Sequence, residues 1–173
     1  MTPGTALVTG AGARLGKAMA EALGQDGWAV IVHYRKSRDG AEATRAAVEA
    51  AGGRAALVRA DLASETETAG LMAAARGAFG QPVSLLVNSA SAFNHDSAQS
   101  HTRDGWDTHM ETNLRAPVHL AQQLANGLPE GERGLVVNLL DQRVWKLTPE
   151  FFTYTLSKAA LWQATRTLAQ ALA

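Results

Sequence analysis

The sequence predicts an α/β fold in which a parallel sheet carries helices on both faces. Three observations predict it. Apolar runs that read as strands alternate with helical periodicity along all 173 residues. The strand runs, such as Trp28-Ala29-Val30-Ile31-Val32-His33, are almost unbroken in apolar character, as in strands buried on both faces. The first strand runs into Thr9-Gly10-Ala11-Gly12-Ala13-Arg14-Leu15-Gly16, a glycine-rich turn that opens a helix.

The elements follow in order. Thr5 to Thr9 reads as strand one and Arg14 to Asp26 as helix one. Trp28 to His33 is strand two, and Asp39 to Ala51 is an alanine-rich helix ended by Gly52-Gly53. Ala55 to Arg59 is strand three. The helix from Ser64 to Phe79 opens with Ser64 and Glu67 spaced as a capping box. Val83 to Val87 is strand four, followed by a polar loop from Ser89 to Arg103. The helix from Asp104 to Gly127 contains Pro117, so a kink is expected near Asn113. Gly134 to Leu140 is strand five, and a loop from Asp141 to about Phe151 leads into a last helix that reaches Ala173. Five strands separated by helices argue for a doubly wound, Rossmann-type parallel sheet of order 3-2-1-4-5 in one domain, residues 1–173. The ligand is expected where the winding reverses, at the carboxyl ends of strands one and four. The final ten residues are still in helical register without a cap, which reads as a domain incomplete at its C-terminal end.

Composition narrows the function classes. Lys plus Arg and Asp plus Glu are both 16, so no net field draws in nucleic acid or an anionic membrane. The absence of cysteine removes disulfides, thiol catalysis and cysteine zinc sites, and fits a reducing compartment. There is no signal-like N-terminus, and no apolar run approaches the ~20 residues of a membrane span. A cytoplasmic location is expected. Histidines 33, 95, 101, 109 and 119 lack ligand spacing backed by carboxylates, so no metal site is read.

The glycine turn suits a dinucleotide. A pyrophosphate needs bare N–H groups, no Cβ in the way and the positive end of a helix. The spacing here is G-x-G-x-x-x-G, one residue longer than the common fingerprint. The residue that separates NAD from NADP should lie about 20 residues past the glycines. There the chain has His33-Tyr34-Arg35-Lys36-Ser37-Arg38, with no carboxylate before Asp39. Cations and a hydroxyl suit a 2′-phosphate, so the cofactor reads as NADPH/NADP+, with Arg14 in reach of the same phosphate. Asp61, before Leu62, either accepts from the adenine amino group or merely starts a helix. Tyr154 and Lys158 stand at i and i+4, on one helix face. A phenol titrates near pH ~10, and a nearby ammonium favours the phenolate, moving it toward a working acid–base range.

Thr9-Gly10-x-x-x-x-Leu15-Gly16, Asn88-Ser89-Ala90-Ser91, Asn113 and Tyr154-x-x-x-Lys158 together resemble the short-chain dehydrogenases/reductases over the whole chain. The resemblance implies that Tyr154 protonates the reduced centre and that Lys158 lowers its pKa and holds the nicotinamide ribose. It implies that Asn113 anchors a water to Lys158. Cofactor contacts are implied for Gly10, Arg14, Leu15, Gly16, His33, Tyr34, Arg35, Lys36, Ser37, Asp61, Leu62, Asn88, Ser89, Ala90 and Ser91, besides Tyr154 and Lys158. Further strands, a substrate lid and dimers or tetramers are also implied. Four departures from the common pattern resemble the pteridine reductase subgroup: Arg14 in the glycine loop, Ser91 for a glycine, Phe93 two residues later, and Asp141 for a serine after strand five, and so does the His33-Tyr34 start of the basic turn. The subgroup implies a pterin sandwiched between the nicotinamide and Phe93, with Arg14, Ser91, Asp141 and Tyr154 at the substrate. Read without the resemblance, Asp141 is a turn-forming residue and Phe93 ordinary packing. Trp145 reads as a buried structural residue or as one that closes over substrate. Leu114, Val118, Leu120, Leu161 and Leu168 fit either an interface or an internal core. The expected function is therefore an NADPH-dependent reductase of a pterin or dihydropterin. The alternatives are a short-chain reductase of a carbonyl substrate and a module that binds NADP without turnover.

Overall fold

The computed structural model describes residues 2–172. Five parallel strands, β1 (Thr5–Val8), β2 (Ala29–Tyr34), β3 (Arg54–Arg59), β4 (Val83–Asn88) and β5 (Leu135–Asn138), form one sheet ordered β3-β2-β1-β4-β5. This is the expected order, reversing between β1 and β4. Helices α1 (Arg14–Gln25), α2 (Arg38–Ala50), α3 (Glu65–Phe79), α4 (Arg103–Met110), α5 (Ala116–Gly127) and α6 (Phe152–Ala171) connect or follow the strands. The expected helix end at Ala173 lies outside the described residues.

Alternation along the strands builds two cores, one per face. Ala6, Val8, Val30, Val32 and Val87 meet Ala20 of α1 and Val48 of α2 on one side. Leu7, Ile31 and Leu86 meet Leu71 and Met72 of α3 and Leu120 and Leu124 of α5 on the other. Leu120 and Leu161 are fully buried, so both belong to the internal core. The strand at the β5 edge is less covered, and Leu135 and Val137 stay exposed.

The long helix expected from Asp104 to Gly127 is interrupted as Pro117 requires, but by a widened turn. Between α4 and α5, residues Glu111–Arg115 form a π-helical turn in which the Ala116 N–H donates to Glu111 O, five residues back. Proline has no N–H for the carbonyl four residues earlier, which is that of Asn113, and the turn opens to accommodate it. At the start of α3, Ser64 caps Glu67 N–H at 3.3 Å as expected. The reciprocal half of the capping box is not formed. Ser64 N–H already donates to Asp61 O, and the Glu67 carboxylate accepts instead from Asp61 N–H at 2.9 Å and from Arg59 at 3.2 Å.

Side chains lock the carboxyl ends of the strands together. Thr9 Oγ1 accepts from the N–H groups of Ser89 and Ala90, each at 3.0 Å, tying the loop after β1 to the loop after β4. His33, expected at the start of the phosphate-binding turn, lines the cleft from beneath the glycine loop, with its side chain buried. Its Nδ1 accepts from Gly10 N–H at 3.1 Å and its Nε2 bonds Ala60 O at 3.1 Å. Both ring nitrogens are therefore occupied by backbone. Burial outweighs the help of Ala60 O and Asp61 and lowers the His33 pKa from 6.5 to about 4.

The unfolded chain takes up a proton at His33 near pH 6.5 and the folded chain only near pH 4, so acidification through this window favours unfolding. Urea denaturation should lose roughly 3 kcal/mol of stability between those limits from this group. The His33→Gln variant should lack that component of the pH slope.

Candidate functional site

A cleft of about 580 Å3 opens at the carboxyl ends of β1, β2 and β4. It gathers Gly10, Arg14, Leu15 and Gly16; Tyr34, Arg35, Lys36 and Ser37; Asp61 and Leu62; Ser89, Ala90, Ser91 and Phe93; and Asp141, Tyr154 and Lys158. Most residues singled out from the sequence therefore meet in one place, although they come from six stretches of chain.

The glycine loop is built by close backbone approach. Gly10 has φ +66°, and a Cβ there would lie 2.8 Å from Ala90 Cα. A Cβ on Gly16 would lie 2.4 Å from Gly10 O. Gly40 of α2, which the sequence reading passed over, presses on the loop from the far side, where a Cβ would lie 2.1 Å from Gly12 O. A glycine inside an alanine-rich helix was the available signal. Arg14 has φ +52°, a left-handed conformation that costs a side-chain-bearing residue roughly 1–2 kcal/mol. The basic turn borders the cleft, with Arg35 Nη1 3.6 Å from Asp61 Oδ1. The same Asp61 oxygen accepts from Ala63 N–H at 3.0 Å and closes a turn ahead of α3, whose cap is Ser64.

Two expected site residues do not face the cleft. Asn88 donates through Nδ2 to Asn138 Oδ1 at 2.8 Å, and Asn138 donates to Thr165 of α6 at 2.8 Å. Asn88 thus ties β4 to β5 and α6 and is turned away from the cofactor position expected of it. The Asn113 side chain is fully buried, and its direct hydrogen bonds go to residues other than Lys158. Its Oδ1 accepts from Ala92 N–H at 2.8 Å and Ser91 Oγ at 3.1 Å. Its Nδ2 donates to Ala92 O and to Ser157 Oγ, each at 3.0 Å. The amide is a staple between the loop after β4 and α6, placed by the π turn.

The acid–base group has a definite geometry. Tyr154 donates its hydroxyl proton to Asp141 Oδ2 at 3.0 Å. Asp141 Oδ1 accepts from Arg143 N–H at 2.9 Å and caps the 3-10 turn Gln142–Val144. The turn-forming reading of Asp141 is met by Oδ1, and Oδ2 sets the carboxylate against the Tyr154 hydroxyl. Lys158 donates to Leu139 O at 2.8 Å, its Nζ 5.9 Å from the Tyr154 ring centre. The expected lowering of the phenol by Lys158 is overturned. Burial first, then the Asp141 carboxylate, holds Tyr154 above the ordinary phenol range, against weaker opposing effects of Arg143 and Ser91. Burial pushes Lys158 down to about 8, against the pull of Asp141. Burial favours the neutral form of Asp141, but the Arg143 N–H, the Tyr154 hydroxyl and the Arg143 charge outweigh it and keep the carboxyl below its ordinary range. The pair therefore holds one proton, on the phenol.

Phe93 lines the cleft half exposed, edge-on to Tyr154 at 4.6 Å and stacked on Phe151 at 4.2 Å with 6° between planes. Phe151 was missed, although an aromatic one helical turn before Tyr154 was a usable signal. It has φ +57°, and its N–H donates to Asp96 O at 2.8 Å. The Asp96 carboxylate accepts from Thr153 N–H and from the Thr153 hydroxyl. His109, considered in the sequence only as a metal ligand, completes this buried group. Its Nδ1 bonds Thr153 Oγ1 at 2.6 Å and its Nε2 accepts from Asn94 N–H at 3.0 Å. Trp145 is neither buried nor at the cleft. It is 67% exposed and edge-on to Trp162 at 5.9 Å. Among the described residues, no group of three or more His, Cys, Asp or Glu side chains gathers to hold a metal ion, and no helix is long and apolar enough to cross a membrane.

A family model described as short chain dehydrogenase matches residues 4–173. Among solved structures, FolM alternative dihydrofolate reductase 1 from Brucella canis, complexed with NADP, is 47% identical with a TM-score of 0.92, covering 98% of this chain and 68% of its own. The landomycin C-6 ketoreductase LanV, with bound NADP and rabelomycin, is 31% identical with a TM-score of 0.90, covering 99% of this chain and 71% of its own. An uncharacterized oxidoreductase of Methylorubrum extorquens is 33% identical over 168 residues, 97% of this chain and 66% of the relative. The chain spans just under two thirds of the length of this and the next two curated relatives, 66%, 64% and 63%.

Replacing Asn113 with leucine strands the half-buried Ala92 N–H and leaves the buried Ser157 hydroxyl without its donor. Urea unfolding of Asn113→Leu should show a loss of roughly 2–4 kcal/mol, against under 0.5 kcal/mol for an exposed control such as Gln99→Ala.

Proposed function

The chain belongs to the short-chain dehydrogenase family, and from that premise we propose that it is an NADPH-dependent reductase acting on a C=N bond of a pterin or dihydropterin. The observation that carries the reading is the hydrogen bond from Tyr154 to Asp141, made beside the half-exposed ring of Phe93. A ketone needs only a hydroxyl donor at that point. A pterin offers an amino-pyrimidine edge, which a carboxylate oxygen can accept from, and a flat ring, which an aromatic face can hold.

The residues present fit the cofactor. Gly10 and Gly16 leave no room for side chains between loop and helix, so their backbone stays open to a pyrophosphate. Arg14, Arg35, Lys36 and Ser37 line the cleft with cations and a hydroxyl for a 2′-phosphate. The neighbouring reductase FolM, at 47% identity, is itself a complex with NADP. When bound, NADPH supplies the hydride. Tyr154 holds the proton that must reach the substrate nitrogen. A ring nitrogen becomes strongly basic as hydride reaches the adjoining carbon, so a phenol that is a weak acid suffices. Asp141 orients the phenol and supplies the acceptor oxygen. Lys158 and Asn113 act around Tyr154: Lys158 as a charge near its ring, Asn113 as the residue that positions the Ser91–Phe93 loop. His33 and Asn88 act on the scaffold. A homodimer or homotetramer is proposed, as the family resemblance implies.

The second reading is a reductase of a carbonyl substrate, favoured by the 31% identity to the ketoreductase LanV. NADPH absorbance at 340 nm separates the two. Dihydrobiopterin-dependent oxidation, lost at least 100-fold in Tyr154→Phe, supports pterin reduction. Oxidation with small ketones alone supports the second reading, and tight NADPH binding without oxidation refutes both. Separately, Arg35→Glu combined with Lys36→Ala should move the ratio of kcat/KM toward NADH by roughly 10-fold or more. An unchanged ratio removes the turn after β2 from cofactor selection.

A further inference from the structure

Arg143, two residues after Asp141, has no part in the reading above, yet its guanidinium is engaged on three sides. Nη1 lies 3.5 Å from Asp141 Oδ1, the oxygen that also accepts the Arg143 N–H. Nε donates to Thr148 Oγ1 at 3.4 Å, and that hydroxyl bonds Glu150 O at 3.2 Å. Its Cζ stands 4.9 Å from the Phe151 ring centre and 5.7 Å from that of Phe93. The ion pair is mostly withdrawn from solvent, the side chains of Arg143 and Asp141 being 20% and 22% exposed, so salt and water screen it less than a surface pair.

These contacts join the two halves of the site. One Asp141 oxygen is held by Arg143, which leaves the other for Tyr154. The same planar cation lies against the stacked phenyl rings. A planar guanidinium can bond a carboxylate through its edge while its face meets an aromatic ring, whereas an ammonium is a point charge with no flat face and no fixed fork. We infer that Arg143 is a positioning residue that keeps Asp141 ionised and oriented while it holds the Phe93–Phe151 stack, so that a flat substrate meets the acceptor oxygen and the aromatic face in one fixed relation. The inference rests on the proposed reduction of a pterin.

The charged and titratable groups around Asp141 are Arg143, Tyr154 and Lys158. Around the Tyr154 ring stand Lys158 and the edge of His109, at 5.9 and 6.0 Å. Of these cations, Arg143 alone touches the carboxylate. Without it, Asp141 keeps its burial and loses its partner, so it takes up a proton at higher pH.

The test uses the full chain with Arg143→Met and Arg143→Lys. Three quantities are read: kcat/KM and KM for dihydrobiopterin from pH 5 to 8, the 13C NMR titration of the Asp141 carboxyl, and NADPH affinity. The wild type should be level at the acid end. Arg143→Met should lose about half its kcat/KM at pH 5 relative to pH 7, raise KM about 10-fold and bind NADPH within about twofold of wild type. Arg143→Lys should restore the acid end and leave KM raised. A profile and KM of Arg143→Met that overlay the wild type overturn the inference, as does a lysine variant that fails to restore the acid end. If the wild type reduces no dihydropterin, the proposed function falls. The carboxyl titration then decides for Arg143, supporting its role by an upward shift in Arg143→Met and overturning it by none. Should Arg143→Met not fold, Arg143→Gln is read by the same criteria.

Discussion

The buried amide of Asn113 is the fixture on which the chemistry of this cleft depends. Its four hydrogen bonds reach Ser91, Ala92 and Ser157, and so fix the loop that carries Phe93 to the helix that carries Tyr154. An amide with all its donors and acceptors satisfied at full burial is a rigid joint, because each bond lost would leave a desolvated polar group. The π turn delivers it. An unbroken helix would need a donor at residue 117, and proline supplies none. A local defect in helical geometry thus sets the distance between ring and phenol.

The electrostatics follow from that placement. Tyr154 sits between a carboxylate it touches and an ammonium it does not. The nearer, hydrogen-bonded partner dominates and keeps the proton on the phenol. Lys158 is directed to Leu139 O, and burial lowers it to about 8, within reach of neutral pH. The tyrosine–lysine spacing alone predicts the opposite sign for the phenol. What reverses it is burial of the phenol first and then Asp141, thirteen residues earlier in the chain, brought alongside by the turn after β5.

The fold was legible almost completely. Unbroken apolar runs and the glycine turn carry the parallel sheet and its order, because strands buried on both faces have little freedom to read otherwise. The membership of the site was legible where chemistry repeats a known spacing, as in Gly10 to Gly16 and Tyr154 to Lys158. It was less legible where a polar side chain bonds the protein itself. The His33 ring bonds backbone groups of the loops after β1 and β3, and Asn88 donates to the side chain of Asn138 on β5. Direction of a side chain is set by tertiary contacts that no local pattern records. Arg143 and the Asp96–Thr153–His109 group were illegible for the same reason, since their partners are distant in sequence or mean nothing until the turn is formed.

The two rims of the sheet are dressed differently. β3 begins and ends with Arg54 and Arg59, charged side chains that discourage another strand from docking alongside. β5 carries Leu135 and Val137 outward with no charge between them. A four-residue rim of that kind is a template for pairing with like chains. The β3 rim is therefore wetted by its own arginines, whereas the exposed apolar pair on β5 is kept wet by nothing on its strand, and a single lysine at position 137 would be the economical way to change that.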